Sequence, residues 1–186
     1  MMMKILKLCL IVSFIALSGC AAMSVEECQT ANWLSVGERD GQNGTSNRIA
    51  SYYKSCEKAG LKPNQSLYEQ GYNKGLNQYC QPSVIFDKSL MGSGSYRVCP
   101  VEKHSVLRPY YEVGNAYYDA KQNKESTYDE LQRYQDYLLD KNLSKEKRNQ
   151  YINRVRELKD DYREAERDYD AAERALERFR KERNLK

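Results

Sequence analysis

Tyr151, Val155, Leu158, Tyr162, Ala165, Tyr169, Ala172, Leu176 and Phe179 follow one another in alternating steps of four and three. That spacing lays apolar side chains along one stripe of an α-helix and does not fit the two-residue period of a strand. The residues between them, Arg154, Glu157, Asp161, Glu164, Arg167, Asp168, Arg174 and Glu177, are the mixed charges expected on the wet flanks of a coiled coil. The preceding segment keeps a similar schedule through Val106, Tyr110, Val113, Tyr117 and Ala120, then Leu131, Tyr134 and Leu138, with Lys124 and Thr127 interrupting it. Ser144 is a natural N-cap between the two. Residues 105–186 are therefore expected to form a long helical hairpin or coiled coil. The favoured partner for the 151–179 stripe is the preceding helix folded back on it. A second copy or another protein is the alternative, because tyrosines and alanines make a lean seam.

The N-terminus carries a different signal. Lys4 and Lys7 precede the apolar run Leu8 to Leu17, followed by Ser18, Gly19 and Cys20. This is the layout of a secretory signal, and the run is well short of the roughly 20 residues needed to span a bilayer. Leu17-Ser18-Gly19-Cys20 resembles the bacterial lipobox. The resemblance implies removal of residues 1–19 and attachment of a diacylglyceryl group to the Cys20 thiol, with a further acyl chain on the freed amine. Several buried chains, at about 0.8 kcal/mol per methylene, hold a protein to its leaflet far longer than one. Ala21 stands where an aspartate would resemble an inner-membrane retention signal, so the periplasmic face of the outer membrane is the expected address. Cleavage would turn 30 basic and 26 acidic residues into 28 and 26, a net charge of about +2. Such a balance offers no concentrated basic face for nucleic acid.

Cys9 leaves with the signal and Cys20 takes lipid, so Cys28, Cys56, Cys80 and Cys99 remain. A small domain in an oxidising compartment reads these as two disulfides, for which three connectivities exist. Zinc is the weaker reading because no close C-x-x-C pair is present. Ser24-Val25-Glu26-Glu27 and Ser66-Leu67-Tyr68-Glu69 have the serine-to-glutamate spacing of a capping box and predict two helix starts. A further helix over about 47–59 ends at Gly60. With Cys28 in the first turn of one helix and Cys56 in the last turn of the next, antiparallel packing favours Cys28 with Cys56 and Cys80 with Cys99. Trp33 precedes Gly37 and Gly41, and Tyr68 precedes Gly71 and Gly75. Glycine inside a helix costs about 1 kcal/mol relative to alanine, so these pairs predict close helix approach. The charges among them, Glu38, Arg39, Asp40 and Lys74, exclude a membrane-dimer reading. From Gln81 to His104 the Pro, Gly and Ser content predicts an irregular loop. The expected organisation is a signal at 1–19, a lipid-anchored, disulfide-stapled helical domain at 20–104 and the hairpin at 105–186. The fold class is mainly α.

Several short segments together resemble the domain-of-unknown-function family 2799, bacterial lipoproteins. They are Glu27-Cys28 with Asn32-Trp33, Gly37-x-x-Asp40-Gly41, Cys56 with Gly60, Tyr68-x-x-Gly71-x-x-x-Gly75-Leu76, Tyr79-Cys80-x-Pro82, and Tyr96-x-Val98-Cys99-Pro100. The resemblance covers most of 27–118 and implies secretion, lipid attachment and structural cysteines, with no activity.

No catalytic constellation is legible. His104 is the one histidine and falls in the expected linker, and the paired carboxylates lie on the charged helix, where they read as solvated flanks. No P-loop, dinucleotide fingerprint or nucleophile elbow occurs, and no cofactor or metal is implied. Two readings remain. One is a structural or protein-interaction role for the coiled-coil arm, with an envelope protein or a second copy as partner. The other is a binding module in which Trp33, Tyr68, Tyr72 and Tyr79 line a surface that grips peptidoglycan, another glycan or a small ligand.

Overall fold

The computed structural model describes residues 23–185; the expected signal, Cys20 and Ala21 lie outside the described residues. Those described form seven α-helices and short 3-10 turns, with no strand among them. They divide into two compact units, one from the described start to Gln42 together with Ser46–Gly75, the other Asn43–Thr45 with residues 76–185.

In the first unit α1 (Val25–Thr30) opens with a complete capping box: Glu27 N–H donates to Ser24 Oγ at 3.2 Å and Ser24 N–H to Glu27 Oε2 at 2.7 Å. The helix does not continue through Trp33. The backbone turns extended at Ala31, and α2 (Trp33–Gln42) restarts with the Asn32 carboxamide accepting from Ser35 N–H at 3.1 Å. After α3 (Ile49–Cys56) a 3-10 turn, Glu57–Ala59, ends at Gly60 in the left-handed conformation, φ 67°. The next helix, α4 (Gln65–Tyr79), starts earlier than the expected serine cap. Asn64 accepts from Leu67 N–H at 3.1 Å, while Ser66 lies inside the first turn and accepts from Gln70. Asn64→Ala should therefore cost about 1 kcal/mol in urea unfolding and Ser66→Ala within about 0.5, the reverse of the order a Ser66 cap would give.

Cys28 is bonded to Cys56 and Cys80 to Cys99, with Cα separations of 5.6 and 5.7 Å, the pairing favoured by the helix reading. The first bridge staples α1 to the end of α3. The second lies within the other unit.

The glycine pairs do bring helices together. A Cβ on Gly37 would collide with the Tyr68 carbonyl oxygen, one on Gly71 with that of Leu34, and one on Gly75 with that of Glu38. Helices α2 and α4 thus meet backbone to backbone, and Lys74 closes the flank with Glu38 at 2.9 Å.

In the second unit the expected 81–104 loop is corrected to helix over much of its length. Pro82 sits in the first turn of α5 (Pro82–Leu90), where its missing N–H has no helical partner to lose. Ile85, Phe86 and Ser89 then form its buried face. The Gly/Ser composition breaks the chain only from Met91 to Ser95, with Gly92 and Gly94 at positive φ, before 3-10 turns at Tyr96–Val98 and Val101–Lys103. Helix α5 packs on the long helix that follows, and both belong to the second unit, whose main stretch starts at Leu76.

That helix, α6 (His104–Tyr137), runs 34 residues and begins at His104, which is no linker residue: its Nε2 lies 2.8 Å from the Cys99 carbonyl and its ring packs edge-on to Tyr96. Lys124 and Thr127 do not break it; the Lys124 ammonium sits over the Tyr169 ring at 3.6 Å. Val106, placed on the stripe from the sequence, is 58% exposed, and Leu107 is buried in its stead. Helix α7 (Lys145–Arg183), 39 residues, is capped by Ser144 and returns along α6. At about 1.5 Å per residue it spans on the order of 58 Å.

Candidate functional site

In the first unit chemistry converges on Asp40, a carboxylate with 4% exposure. The Tyr52 hydroxyl donates to Asp40 Oδ2 at 2.8 Å and the Tyr68 hydroxyl to the same oxygen at 2.9 Å. Tyr68 Oη in turn accepts from Arg48 N–H at 3.0 Å, just before α3. One carboxylate therefore ties α2, α3 and α4 together. The rings around it continue the contact: Trp33 to Tyr52 at 5.8 Å, Tyr52 to Tyr68 at 5.8 Å, and Tyr68 stacked on Tyr72 at 5.9 Å. The Arg48 guanidinium lies over Tyr52.

Burial, with the Asp40 charge beside them, pushes the hydroxyls of Tyr52, Tyr68 and Tyr72 above their ordinary pKa, most strongly for Tyr68. A raised folded-state pKa favours the neutral phenol in the native state. Its stability contribution is fully present below the unfolded value of 10.0 and is lost as pH climbs through the folded one. Alkaline titration followed by tyrosinate absorbance and circular dichroism should separate phenols that ionise with the fold intact from those that do not. A later group should ionise together with unfolding, and Tyr68→Phe should remove one phenol from it.

The four candidate binding residues are thus placed, and their expected exposure is corrected. Trp33, Tyr68 and Tyr72 share the buried cluster of the first unit. Tyr79 is buried in the second, where its hydroxyl accepts from Ser95 N–H at 2.8 Å. None presents an open ring face to a sugar. Trp33, Tyr68 and Tyr72 spend their ring contacts on one another and on Tyr52, and Tyr79 spends its hydroxyl on Ser95. Asp40 was not singled out from the sequence as a core group, although a charge three residues past Gly37 on a glycine-lined face was the available signal.

In the second unit the stripe meets α6 over its length. Leu131, Val155 and Leu158 form a buried cluster with Tyr134, Leu138 and Tyr162 packed on it. Beyond it the seam is a ladder of aromatic pairs: Tyr134 with Tyr151, Tyr128 with Tyr162, Tyr117 with Tyr169, and Tyr110 with Phe179, at 5.1 to 5.7 Å. Such pairs add about 0.5–1.5 kcal/mol each beyond burial, which is how a lean seam still closes. The Tyr169 hydroxyl donates to Glu173, and hydrogen bonding to Tyr117 and Glu173 raises its pKa. One flank carries a cross-helix ion pair, Arg154 to Glu130 at 3.0 Å, both partly exposed. Arg154→Ala should cost no more than about 1 kcal/mol in thermal unfolding, since exposed pairs contribute little against an apolar seam.

Among the described residues no group of three His, Cys, Asp or Glu side chains could hold a metal ion, and no helix is long and apolar enough to cross a membrane. A family model described as "Protein of unknown function (DUF2799)" matches residues 32–116. No curated protein and no solved structure matches the chain.

Proposed function

We propose that this chain, which belongs through residues 32–116 to the DUF2799 family of proteins of unknown function, is a cell-envelope lipoprotein that presents its helical hairpin to protein partners. The observation that carries the reading is the α6–α7 hairpin. Its stripe is satisfied within the chain, so it stands as a preformed rod and needs no second copy to fold. Such a rod behind a lipobox-like Cys20 is an arm held at a membrane, and the absence of Asp at position 21 favours the outer membrane's periplasmic face. Partners then meet the outward flanks, since the seam is closed. The glycan-binding alternative loses its support on Trp33, Tyr68, Tyr72 and Tyr79, whose rings are in the core.

Two measurements test this. Cys20→Ser should abolish palmitate labelling and release the protein from the membrane fraction; a variant that keeps its label sinks the anchor. In the natively lipidated chain, a photoreactive residue at exposed Arg174 should capture a defined envelope protein, whereas one at buried Leu158 should give only products within the chain. No intermolecular product from any outward position on α6 or α7 would overturn the interaction role.

A further inference from the structure

The two flanks of the hairpin seam are unlike. On the Arg154 side, charges pair across the helices and with Glu157. On the other side Leu131 and Tyr162 floor a trough of about 490 Å³, whose remaining lining residues are Arg156, Lys159, Asp160 and Arg163. The spacing of 156, 159 and 163 sets three cations on one face of α7. Asp160, the one acid among them, is engaged by Arg163. The Arg156 guanidinium reaches only Asn153 Oδ1, at 3.4 Å, and Lys159 has no ion-pair or hydrogen-bond partner among the described residues. Alongside Leu131, at the spacing of the same α6 face, stand Tyr128 and Gln135, neither of them acidic. Tyr128 is 46% exposed with its ring 5.6 Å from that of Tyr162.

A merely solvated flank would mix its charges and expose no apolar floor. Here Tyr162 and the edge of the largely buried Leu131 make the floor, three cations stand against the one engaged acid Asp160 on the wall, and Tyr128 and Gln135 beside Leu131 supply no counter-charge; Glu166, next to Tyr162, is engaged by its hydroxyl. The hollow between two antiparallel helices is also the seat a third helix takes in a bundle, reading anchors at i, i+3, i+4 and i+7.

We propose that this trough docks one acidic amphipathic helix of a partner protein, with its apolar side on Leu131, Tyr128 and Tyr162 and its carboxylates on Arg156 and Lys159. The inference rests on the reading of the hairpin as an interaction arm and names the chemistry of what it takes. Charge complementarity selects the sign of the partner, and the apolar floor selects a helix over a bare polyanion.

The experiment uses the purified full mature chain and a labelled synthetic helical peptide with Leu at the seam positions and Glu on its flanks, read by fluorescence anisotropy. Comparison probes are the same peptide with Lys for Glu, unstructured polyglutamate, and soluble peptidoglycan fragments. The Glu peptide should bind, weaken as salt is added, and exceed the Lys peptide by at least about tenfold. The triple variant Arg156→Glu, Lys159→Glu, Arg163→Glu, all outside the seam, should invert that preference, with the helical signal and melting curve confirming its fold. No binding of the Glu peptide, equal binding of the two peptides, no response to the triple variant, or equal binding of polyglutamate or peptidoglycan fragments would each overturn the proposal. Capture from Arg174 in cells that persists unchanged in the triple variant would remove this seat while leaving the arm reading intact. Failure of the unsubstituted chain to capture anything strikes the arm reading itself.

Discussion

Asp40→Ala is expected to cost the first unit about 3–5 kcal/mol, read as the shift in the urea midpoint at constant slope. The carboxylate is buried and accepts hydrogen bonds from two phenols that come from different helices. Truncating it leaves the hydroxyls of Tyr52 and Tyr68 facing apolar rings without an acceptor, and each buried donor so stranded costs about 1–3 kcal/mol. Asp40→Asn retains an oxygen that can accept and should recover part of the loss. The double variant Tyr52→Phe, Tyr68→Phe on the Ala background should recover part too, because the stranded donors are gone. Ala and Asn variants of equal stability, both near the original, would show that the carboxylate does not hold the three helices.

Gly71→Ala is the second large effect, and its sign is the opposite of the usual one. In an open helix the change stabilises by about 1 kcal/mol. Here the added Cβ would run into the Leu34 carbonyl oxygen and come within 2.8 Å of Glu38 N, both backbone atoms that cannot rotate away. Overpacking of this kind costs about 1–3 kcal/mol and more where the neighbour is rigid, so a net loss of about 2–3 kcal/mol is expected. Gly37→Ala should behave alike against the Tyr68 carbonyl, and the two together should leave the first unit unfolded at 37 °C. Gly60→Ala is the control. Nothing lies within 4 Å of its Cβ position, so only the left-handed backbone resists, at about 1–2 kcal/mol. A stabilised Gly71→Ala would refute the backbone contact.

The hairpin was the most legible part. Its period is written in nine seam residues, and a helix folded back through a short turn meets its predecessor with little choice. The stapled domain was legible in its cysteines and glycines but not in its helix ends. Asn32 caps a helix restart that the sequence does not announce, and Asn64 takes the role that Ser66 offers, because the packed helix already starts at Gln65. Composition misleads over 81–104, because the Gly and Ser at 92–95 mask Ile85 and Phe86, which with Ser89 form a buried helix face. The aromatic residues misled differently. Trp33, Tyr68, Tyr72 and Tyr79 have the chemistry of a sugar-stacking surface, and nothing local distinguishes a tyrosine that stacks on a ligand from one that stacks on another tyrosine.

Local and short-range chemistry thus accounts for the helical class, the capping box at Ser24, the close approach of glycine-lined helices and the stripe that calls for a partner. These depend on contacts between residues a few positions apart, whose spacing is visible in one dimension. Burial of Asp40 beneath two phenols, the α5 cover over the start of α6, and the unequal flanks of the hairpin come from residues 12 to 28 positions apart or from separate helices. Their juxtaposition exists only once the helices have packed, because it is the packing angle that decides which face of each helix turns inward.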